Sequence, residues 1–205
     1  MNGHVLLTGE TQSGKTHFGN VLHREFPGVS IFINTNGARV YGHKTQGTSE
    51  FARAVVRSRK VNVLMPEDPV ARMRILDEIK DRIFRWAKAK DHYDTPWCQI
   101  IVDEAQEYSH EKRIKGVPDA VRSFATRGLG MAGVRLVAIT QYPATLNTTT
   151  RTNLPIRVFF DPGDEGIQFW RNKSTPHMDA IAEHTRQKYN FAIHHKRDVR
   201  LYTKL

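Results

Sequence analysis

Eight consecutive residues near the amino terminus have the types and the spacing that suit binding of a polyphosphate. The stretch from Gly9 to Thr16 fits the pattern G-x-x-x-x-G-K-[ST] at every fixed position. In such a loop, backbone N–H groups and the start of a helix point at one spot, where an anion is stabilised. Lys15 is expected to contact the β- and γ-phosphates of ATP, and the Thr16 hydroxyl to bind Mg²⁺. The residues predicted to hold the nucleotide are Gly9, Glu10, Thr11, Gln12, Ser13, Gly14, Lys15, Thr16 and His17.

The elements on either side of this loop are those that a phosphate-binding loop requires. Residues 4–8 form a short apolar run that predicts a buried strand, and residues 17–26 predict a helix that stops at Pro27 and Gly28. Strand, loop and helix follow one another in the order that directs the loop amides and the helix N-terminus at the phosphates. The sequence therefore predicts a nucleotide-binding site rather than a chance match in a glycine-rich turn.

A second, acidic element is needed because Mg²⁺ must be held and a water molecule must be activated. Residues 99–103 predict an apolar strand that ends in Asp103, and Glu104 follows directly. Asp103 would lie at the carboxyl edge of a parallel sheet and complete the metal site with Thr16. Glu104 would polarise the water that attacks the γ-phosphate. We expect these two residues to act as a Walker B pair.

A polar residue also follows the strand that is predicted for residues 134–140. Gln141 comes directly after Thr140 at the end of that strand. With this strand between the phosphate-loop strand and the acidic strand, the Gln141 side chain would contact the γ-phosphate and act as a catalytic sensor. Without the other two elements, the same residue would be an ordinary polar cap of a strand.

Length and composition exclude several classes of protein. A chain of 205 residues with 39% hydrophobic and 25% charged residues is typical of one globular domain, here residues 1–205. No apolar run approaches the roughly 18 residues of a membrane span, and the amino terminus lacks a signal segment. The one cysteine, Cys98, rules out an internal disulfide and a zinc site built from cysteines. We therefore expect a cytoplasmic protein without a membrane span.

The charge balance indicates a polyanionic partner. The chain has 31 Lys and Arg against 21 Asp and Glu, a formal net charge of +10, and a pI near 9.9. Such a field favours nucleic acid, although part of it can serve nucleotide phosphates or solubility. A basic segment with Lys112, Arg113 and Lys115 is a candidate for following the phosphate backbone of DNA.

The remaining sequence alternates strands with helices. This pattern predicts an α/β fold with a mostly parallel sheet that is covered by helices on both faces. Residues 37–49 form a polar, glycine-containing stretch, and Gly128, Gly130 and Gly133 are expected to break a helix that begins at Asp119. Residues 190–194 and 199–203 predict a C-terminal β-hairpin at the sheet edge, while residues 161–205 are given no role. Further strands are predicted at 29–34, 61–64 and 156–160, and helices at 49–58 and 70–90.

Three stretches together resemble the FtsK–HerA superfamily of DNA-pumping ATPases. They are the glycine loop, Ile-Ile-Val-Asp-Glu-Ala-Gln at 100–106, and the strand that ends in Thr140-Gln141-Tyr142-Pro143, with residues 153–157 and a strand after it. The resemblance covers residues 3–160, and the compact chain is similar to the viral genome-packaging branch. It implies a P-loop NTPase of the ASCE, RecA-like type that uses ATP and Mg²⁺. It also implies a homo-oligomeric ring, a hexamer or pentamer, that moves double-stranded DNA, in a host cytoplasm or at a viral capsid vertex.

The resemblance further implies an arginine that enters the site from a neighbouring subunit. Arg127, before the sensor strand, best matches the basic residue at that place in viral members, and we expect it to be the arginine finger. Arg151 and Arg157 are the alternatives, and each of the three could instead be a surface arginine.

Other nucleotide-binding classes fit the sequence less well. A regulatory GTPase needs an Asn-Lys-x-Asp element, and the stretch Asn172-Lys173-Ser174-Thr175 lacks the acid. A small-molecule kinase would not need Glu104 directly after Asp103, which is the arrangement for activating water. A virion assembly or secretion ATPase of the filamentous-phage type would usually carry a membrane anchor. A non-catalytic binding module would be expected to have lost Lys15 or Glu104.

Overall fold

A single twisted sheet forms the centre of the molecule. The computed structural model describes residues 3–88, 95–109 and 119–204. Within these residues nine strands form one sheet. The strands are β1 (Val5–Thr8), β2 (Val29–Asn34), β3 (His43–Gln46), β4 (Lys60–Leu64), β5 (Cys98–Val102), β6 (Val134–Thr140), β7 (Ile156–Phe159), β8 (Phe191–His195) and β9 (Asp198–Tyr202).

Helices of five to nineteen residues connect most of the strands. The longest, α3, begins at Pro69, where a fixed φ angle is already helical, and Asp68 caps it by accepting hydrogen bonds from two backbone N–H groups. The helices are α1 (Lys15–Glu25), α2 (Phe51–Arg57), α3 (Pro69–Ala87), α4 (Ala120–Ala132), α5 (Thr148–Thr152), α6 (Gly163–Asn172) and α7 (Met178–Thr185), and a single 3-10 turn covers Ala105–Glu107.

The strand order places β6 between β5 and β1. The full order is β3-β4-β2-β5-β6-β1-β7-β8-β9, in which every pair from β3 to β7 is parallel and the pairs β7–β8 and β8–β9 are antiparallel. Strands β1, β5 and β6 are buried along their whole length and mostly apolar, as expected when both faces of a parallel sheet are covered. The predicted mostly parallel α/β sheet and its C-terminal hairpin are therefore confirmed.

The two faces of the sheet are covered to different depths. One face packs against α1 through Phe18 and against Val40 in the stretch that leads to β3. The opposite face packs against α2, α3, α4, α6 and α7, with Phe51, Phe124 and Trp170 among its largest buried side chains. The second face therefore carries the larger of the two buried clusters, although the residues of the first face are also buried.

The expectation that Gly128 and Gly130 break the fourth helix is wrong, whereas the third glycine, Gly133, does end it. Helix α4 continues through Gly128 and Gly130 to Ala132, and Gly133 is its C-cap in the left-handed conformation. A Cβ atom at Gly128 would lie 2.8 Å from the carbonyl oxygen of Val134 and 3.3 Å from the His4 ring, so a side chain would push the helix off β6. Here a glycine serves close packing of helix against sheet, which outweighs its weak helix propensity.

Four elements were not predicted. Strand β3 is a polar edge strand of four residues within the polar, glycine-containing stretch 37–49, and it lacks the apolar alternation that identifies strands. Helix α5 consists of threonine and arginine and is set by the Asn147 side chain, which accepts hydrogen bonds from the amides of Thr149 and Thr150. Helices α6 and α7 fall in the stretch after residue 160 that had no assignment.

Two further predictions concern a membrane span and a basic segment. None of the helices in residues 3–88, 95–109 and 119–204 is both long and apolar enough to cross a membrane. The basic segment with Lys112, Arg113 and Lys115 lies outside the described residues.

Candidate functional site

The phosphate loop, the acidic pair and the sensor candidate meet at the carboxyl edge of the sheet. Thr8, the last residue of β1, lies in register with Thr140, the last residue of β6. Val102 at the end of β5 lies in register with Ala138. Since the three strands are adjacent and parallel, the residues that follow them share one edge, where ligands bind in open α/β sheets.

The phosphate loop wraps around the start of α1, with Gly14 as its N-cap and Lys15 as its first residue. The Lys15 ammonium is buried, donates a hydrogen bond to the carbonyl oxygen of Glu10 and lies 3.5 Å from Ser13 Oγ. Burial lowers the pKa of Lys15, while the charges of Glu104, Asp103 and Glu10 act in the opposite direction. The Lys15 ammonium is a buried cation whose hydrogen bond goes to an uncharged carbonyl of its own loop. A bound phosphate would give this cation a negatively charged partner.

Asp103 and Thr16 are the predicted metal ligands. Asp103 is buried, and burial, followed by the charge of Glu104, raises the pKa of its carboxyl to about 6. Thr35 donates a hydrogen bond of 2.8 Å to the Asp103 carbonyl oxygen, which ties the end of β2 to the end of β5. A buried carboxylate at the end of β5, at the same sheet edge as the first turn of α1 that carries Thr16, would suit a hard divalent cation such as Mg²⁺.

Because the pKa of Asp103 is raised, the free energy of unfolding should depend on pH. The folded-state pKa of about 6 lies above the usual 3.8, so folding is weakened as the pH rises through this interval and remains weakened above it. Asp103→Asn removes this cost, and we expect it to raise the free energy of unfolding by up to about 3 kcal/mol at pH 7.5. Urea unfolding without nucleotide at pH 4.0, 5.5 and 7.5 measures the effect. The difference should be near zero at pH 4.0, and a difference independent of pH would contradict this account.

Three side-chain amides hold the Glu104 carboxylate. Oε1 accepts hydrogen bonds from Asn36 Nδ2 at 3.1 Å and from Gln141 Nε2 at 2.7 Å, and Oε2 accepts one from Gln106 Nε2 at 2.5 Å. Glu104 is buried and its backbone is in the left-handed region, with φ of 51°. A non-glycine residue in that conformation is uncommon, and such residues cluster at functional sites.

Gln141 connects the acidic pair with the phosphate loop. While its amide nitrogen donates to Glu104, its Oε1 accepts a hydrogen bond of 2.7 Å from Thr11 Oγ1 in the loop. The side chain therefore touches both elements between which the γ-phosphate would lie. This placement suits the predicted sensor.

A cavity of about 370 Å³ opens beside the start of α1. Its floor is the buried ring of Phe160, which stacks on Phe191 at 5.7 Å, and Tyr189 forms a half-exposed wall. The lining residues are Gly14, His17, Phe160, Tyr189 and Lys204. Gly14 and His17 were predicted to bind the nucleotide, whereas the other three residues were not. Phe160 directly follows β7, which pairs with β1, while Tyr189 and Lys204 reach the loop through the antiparallel strands β8 and β9.

A second, acidic groove of about 670 Å³ lies on the other side of the phosphate loop. Glu10, Asp164 and Glu165 contribute its carboxylates, and Thr11 and Gln141 also line it. Its remaining wall comes from residues 142–145 and from Pro162, Gly166 and Phe169. The groove therefore offers negative charge next to the place where the terminal phosphate would be.

The three arginines considered as finger candidates differ in exposure. Arg127 is exposed on α4, where its guanidinium lies 5.6 Å from the centre of the Phe84 ring. Arg151 is buried and donates hydrogen bonds to the carbonyl oxygens of Pro143 and Leu146. These bonds fix the loop after the sensor strand.

Arg157 is also directed inward. Its guanidinium stacks 4.7 Å from the centre of the Trp170 ring, and burial lowers its pKa. The internal contacts of Arg151 and Arg157 give each a structural role in its own subunit. Arg127 is therefore the candidate whose side chain is accessible to a neighbour.

Comparison with known proteins shows which solved structures share this fold. Neither a protein-family model nor a curated protein sequence matches the chain. Among solved structures, the genome packaging NTPase B204 of Sulfolobus turreted icosahedral virus 2 in complex with ATP-gammaS superposes with a TM-score of 0.73 at 16% identity, over 100% of this chain and 98% of that one. The DNA-packaging ATPase B204 of Sulfolobus turreted icosahedral virus gives 0.67 at 18% identity, over 100% of both chains.

A secretion ATPase is also similar in part. The cytoplasmic domain of the type VII secretion ATPase EccC from Thermomonospora curvata gives a TM-score of 0.53 at 15% identity, over 78% of this chain and 20% of that one. Identities this low establish the fold alone. The chain therefore has the fold of a P-loop NTPase, and it matches the viral packaging NTPases from end to end.

Proposed function

We propose that this protein is an ATPase that drives translocation of double-stranded DNA, of the type that packages viral genomes. One observation carries the proposal: the Gln141 side chain hydrogen-bonds both Thr11 of the phosphate loop and Glu104 of the acidic pair. A phosphate loop, a metal-binding acid, a base and a sensor in one place form a site for hydrolysis rather than for binding alone. The end-to-end likeness to genome packaging NTPases supports the type of motor.

Each residue of the site has a defined task in ATP hydrolysis. The backbone amides of the loop and the Lys15 ammonium bind the β- and γ-phosphates, and Thr16 and Asp103 would hold the metal ion. Bound Mg²⁺ would neutralise charge on the phosphate oxygens. Glu104 accepts the proton of the attacking water, and Gln141 donates to the γ-phosphate once its amide leaves Glu104.

The cavity beside α1 is suited to the base of the nucleotide. It lies next to Gly14, so a base attached to the phosphates can reach it, and its surface is mostly apolar, with the rings of Phe160 and Tyr189 in the wall. Tyr189 offers an exposed ring for stacking, and the Lys204 ammonium can donate to a ring nitrogen or oxygen of a purine. Stacking between a base and an aromatic side chain contributes about 1–3 kcal/mol.

Removing the Tyr189 ring is therefore expected to weaken ATP binding. For Tyr189→Ala we expect the KM for ATP to rise by about tenfold, with a smaller change in kcat, because the ring contacts the base and not the reacting phosphate. Steady-state hydrolysis at varied ATP concentration measures both. Tyr189→Phe keeps the ring and is the matched control, and an equal loss in both variants would exclude stacking.

The DNA partner and the ring are proposed from charge and from the fold. A net charge of +10 in a nucleotide-binding protein suits a duplex phosphate backbone, and a ring of identical subunits, a hexamer or pentamer, would encircle the duplex. Attachment to a capsid vertex is part of the same proposal. The protein would work in the host cytoplasm and at the virion.

The experiment that tests this function is ATP hydrolysis with and without double-stranded DNA. We expect DNA of any sequence to raise the rate, and binding to weaken steeply between 50 and 200 mM salt, by about 10³-fold or more for six phosphate contacts. Measuring the particle mass alongside would give the number of subunits.

A rate indifferent to DNA would favour the alternative, a virion assembly or secretion ATPase of the filamentous-phage type. That alternative has less support, because the likeness to the secretion ATPase EccC has a lower TM-score, 0.53, than the likeness to the genome packaging NTPase, 0.73. A small-molecule kinase, the least favoured class, would show itself by phosphate transfer to an acceptor other than water.

A further inference from the structure

Several buried nitrogen atoms without hydrogen-bond partners lie between the sheet and helices α6 and α7. They are Arg157 Nε, Trp170 Nε1 and both ring nitrogens of His194, and within the described residues none of them is hydrogen-bonded. The Trp170 and His194 side chains are only 1% and 4% exposed. Buried polar atoms nearly always have a partner, so these three residues, which we call the Arg157 group, call for an explanation.

Neighbouring elements bring the three side chains of the Arg157 group together. Arg157 of β7 and His194 of β8 lie directly opposite each other in the antiparallel pair, so their side chains project from the same face of the sheet. Trp170 of α6 packs over Arg157, with the guanidinium 4.7 Å from the centre of a ring. The unpartnered nitrogens therefore belong to adjoining side chains on the face of the sheet opposite to α1.

The charge around the Arg157 group is positive. Burial lowers the pKa of His194, and the charges of Arg157, His177 and His195 lower it further. Burial, followed by the charge of Arg151, also lowers the pKa of Arg157. In the part of the chain that the structure describes, neither Arg157 nor His194 forms an ion pair with a carboxylate. A largely buried guanidinium without an acidic partner would be stabilised by an anion.

The chemistry of the unpartnered atoms identifies the class of anion. Arg157 Nε and Trp170 Nε1 each carry a hydrogen and can only donate. His194 donates through one ring nitrogen when it is neutral and through both when it is protonated. A metal cation would be repelled by such a group, whereas the oxygens of a phosphate or sulfate accept hydrogen bonds from several donors at once.

The loop between α6 and α7 gives this region an edge at the surface. Arg157 is partly exposed, and it donates a hydrogen bond of 3.4 Å to Thr175 Oγ1 in that loop. Ser174 and His177, on either side of Thr175, are exposed. An anion that enters beside the loop would reach Arg157 without separating α6 or α7 from the sheet.

We propose that Arg157, Trp170 and His194 form a binding site for a phosphate group, separate from the nucleotide site. Arg157 supplies the positive charge, and the N–H groups of all three side chains donate to the phosphate oxygens. The phosphate comes either from free inorganic phosphate or from the backbone of DNA. No residue of the phosphate loop or of the acidic pair takes part, so this inference goes beyond the proposed function and can fail without it.

The indole N–H signal of Trp170 in an NMR spectrum reports directly on this site. The chain has three tryptophans, Trp86, Trp97 and Trp170, and Trp170→Phe identifies the third signal by its loss. The protein is first saturated with Mg²⁺ and a non-hydrolysable ATP analogue, which keeps the phosphate loop occupied, and is then titrated with sulfate. We expect a saturable shift of the Trp170 signal alone, with a midpoint of about 1 mM, as two hydrogen bonds to a charged group would give.

Substitutions within the Arg157 group test its members. His194→Leu removes both ring nitrogens and Arg157→Lys keeps the charge but removes Nε, and each should raise the sulfate midpoint by about tenfold or more. The matched control is His195→Leu, at the next position of β8 on the other face of the strand, where the side chain is exposed. Its midpoint should stay that of the wild type. If Arg157→Lys does not fold, His194→Leu against His195→Leu decides the question.

The pH dependence of sulfate binding tests the role of His194. Sulfate keeps its charge between pH 5.5 and 8.0, so a change in affinity reports on the protein. Because protonated His194 donates twice, affinity should fall as the pH rises through this range, and His194→Leu should bind with a flatter profile. The other groups that face this ring, Arg157, His177 and His195, are unchanged in that variant.

Titrations with inorganic phosphate and with a short duplex DNA distinguish the two sources. If DNA shifts the Trp170 signal, and Arg157→Gln reduces the slope of log DNA affinity against log salt by about 1, the phosphate belongs to the backbone. If inorganic phosphate shifts the signal and DNA does not, the ligand is free phosphate.

Three results would overturn the inference and leave the proposed function standing. The first is no saturable shift with sulfate, phosphate or DNA, which would mean that only water satisfies these nitrogens. The second is an equal shift with chloride, which would show an adventitious ion only. The third is a midpoint that His194→Leu leaves unchanged, or that His195→Leu raises as much.

Discussion

Replacing Glu104 by glutamine is expected to slow ATP hydrolysis by about 10²- to 10⁴-fold, the usual contribution of a general base. Glutamine keeps the size of the side chain and can still accept from Asn36 or Gln106, but it cannot take a proton from water. Binding of ATP should change little, because Glu104 acts on the water and not on the phosphates. Single-turnover hydrolysis and equilibrium binding of a labelled nucleotide measure the two quantities separately.

Lys15→Ala is the companion variant for this experiment. Lys15 contacts phosphate before any bond breaks, so its loss should abolish nucleotide binding as well as turnover. The pair of variants distinguishes a group that binds the ground state from one that acts in the transition state. Normal turnover by Glu104→Gln would remove this residue from the role of base, and Asp103 would have to be considered in its place.

Arg127→Ala is expected to reduce ATP turnover by about 10³- to 10⁵-fold with little effect on ATP affinity, which is the effect of losing an arginine supplied by a neighbouring subunit. The acidic groove beside Thr11 and Gln141 is suited to receive such a cation, and Arg127 is exposed for it. An arginine in this position neutralises charge as the γ-phosphate departs.

A mixing experiment tests whether Arg127 acts between subunits. Arg127→Ala and Glu104→Gln should each be inactive alone, and a mixture should regain activity, because some interfaces then pair an intact base with an intact arginine. Mixed assembly must be shown independently, by co-purification of differently tagged subunits. Absence of recovery in proven mixed particles would exclude Arg127, and the internal contacts of Arg151 and Arg157 would direct the search to other exposed arginines.

Much of the fold follows from local sequence signals. Mostly apolar runs such as 29–34 and 134–140 match β2 and β6, because the inner strands of a parallel sheet are buried on both faces. The phosphate loop and the acid pair could also be placed at one edge in advance, since each follows such a strand. The roles assigned to these residues stay predictions until the variants are measured.

The features of the site that could not be predicted from the sequence depend on contacts between residues far apart along the chain. Asn36 reaches Glu104 across 68 positions of the chain, and an asparagine before a glycine has the local signature of a turn. Tyr189 and Lys204 line the cavity only because β8 and β9 add to the sheet in antiparallel sense, which brings the end of the chain back to the loop. At Gly128 a local signal was misleading for the same reason. The close packing of Gly128 against Val134 and His4, and not the weak helix propensity of glycine, explains why it lies within α4.

The position of β1 in the sheet has a consequence for the order in which the molecule is made. Val5 pairs with Val137 on one side and with Ile156 on the other, so both neighbours of the first strand are synthesised more than 125 residues after it. In a nascent chain that has not reached residue 134, neither neighbouring strand of β1 has been made. The strand that precedes the phosphate loop is then not yet paired within the sheet. Contacts so distant along the chain form late and slowly. The nucleotide site is thus expected to be completed only when most of the chain has left the ribosome, and a growing chain should not capture ATP before then.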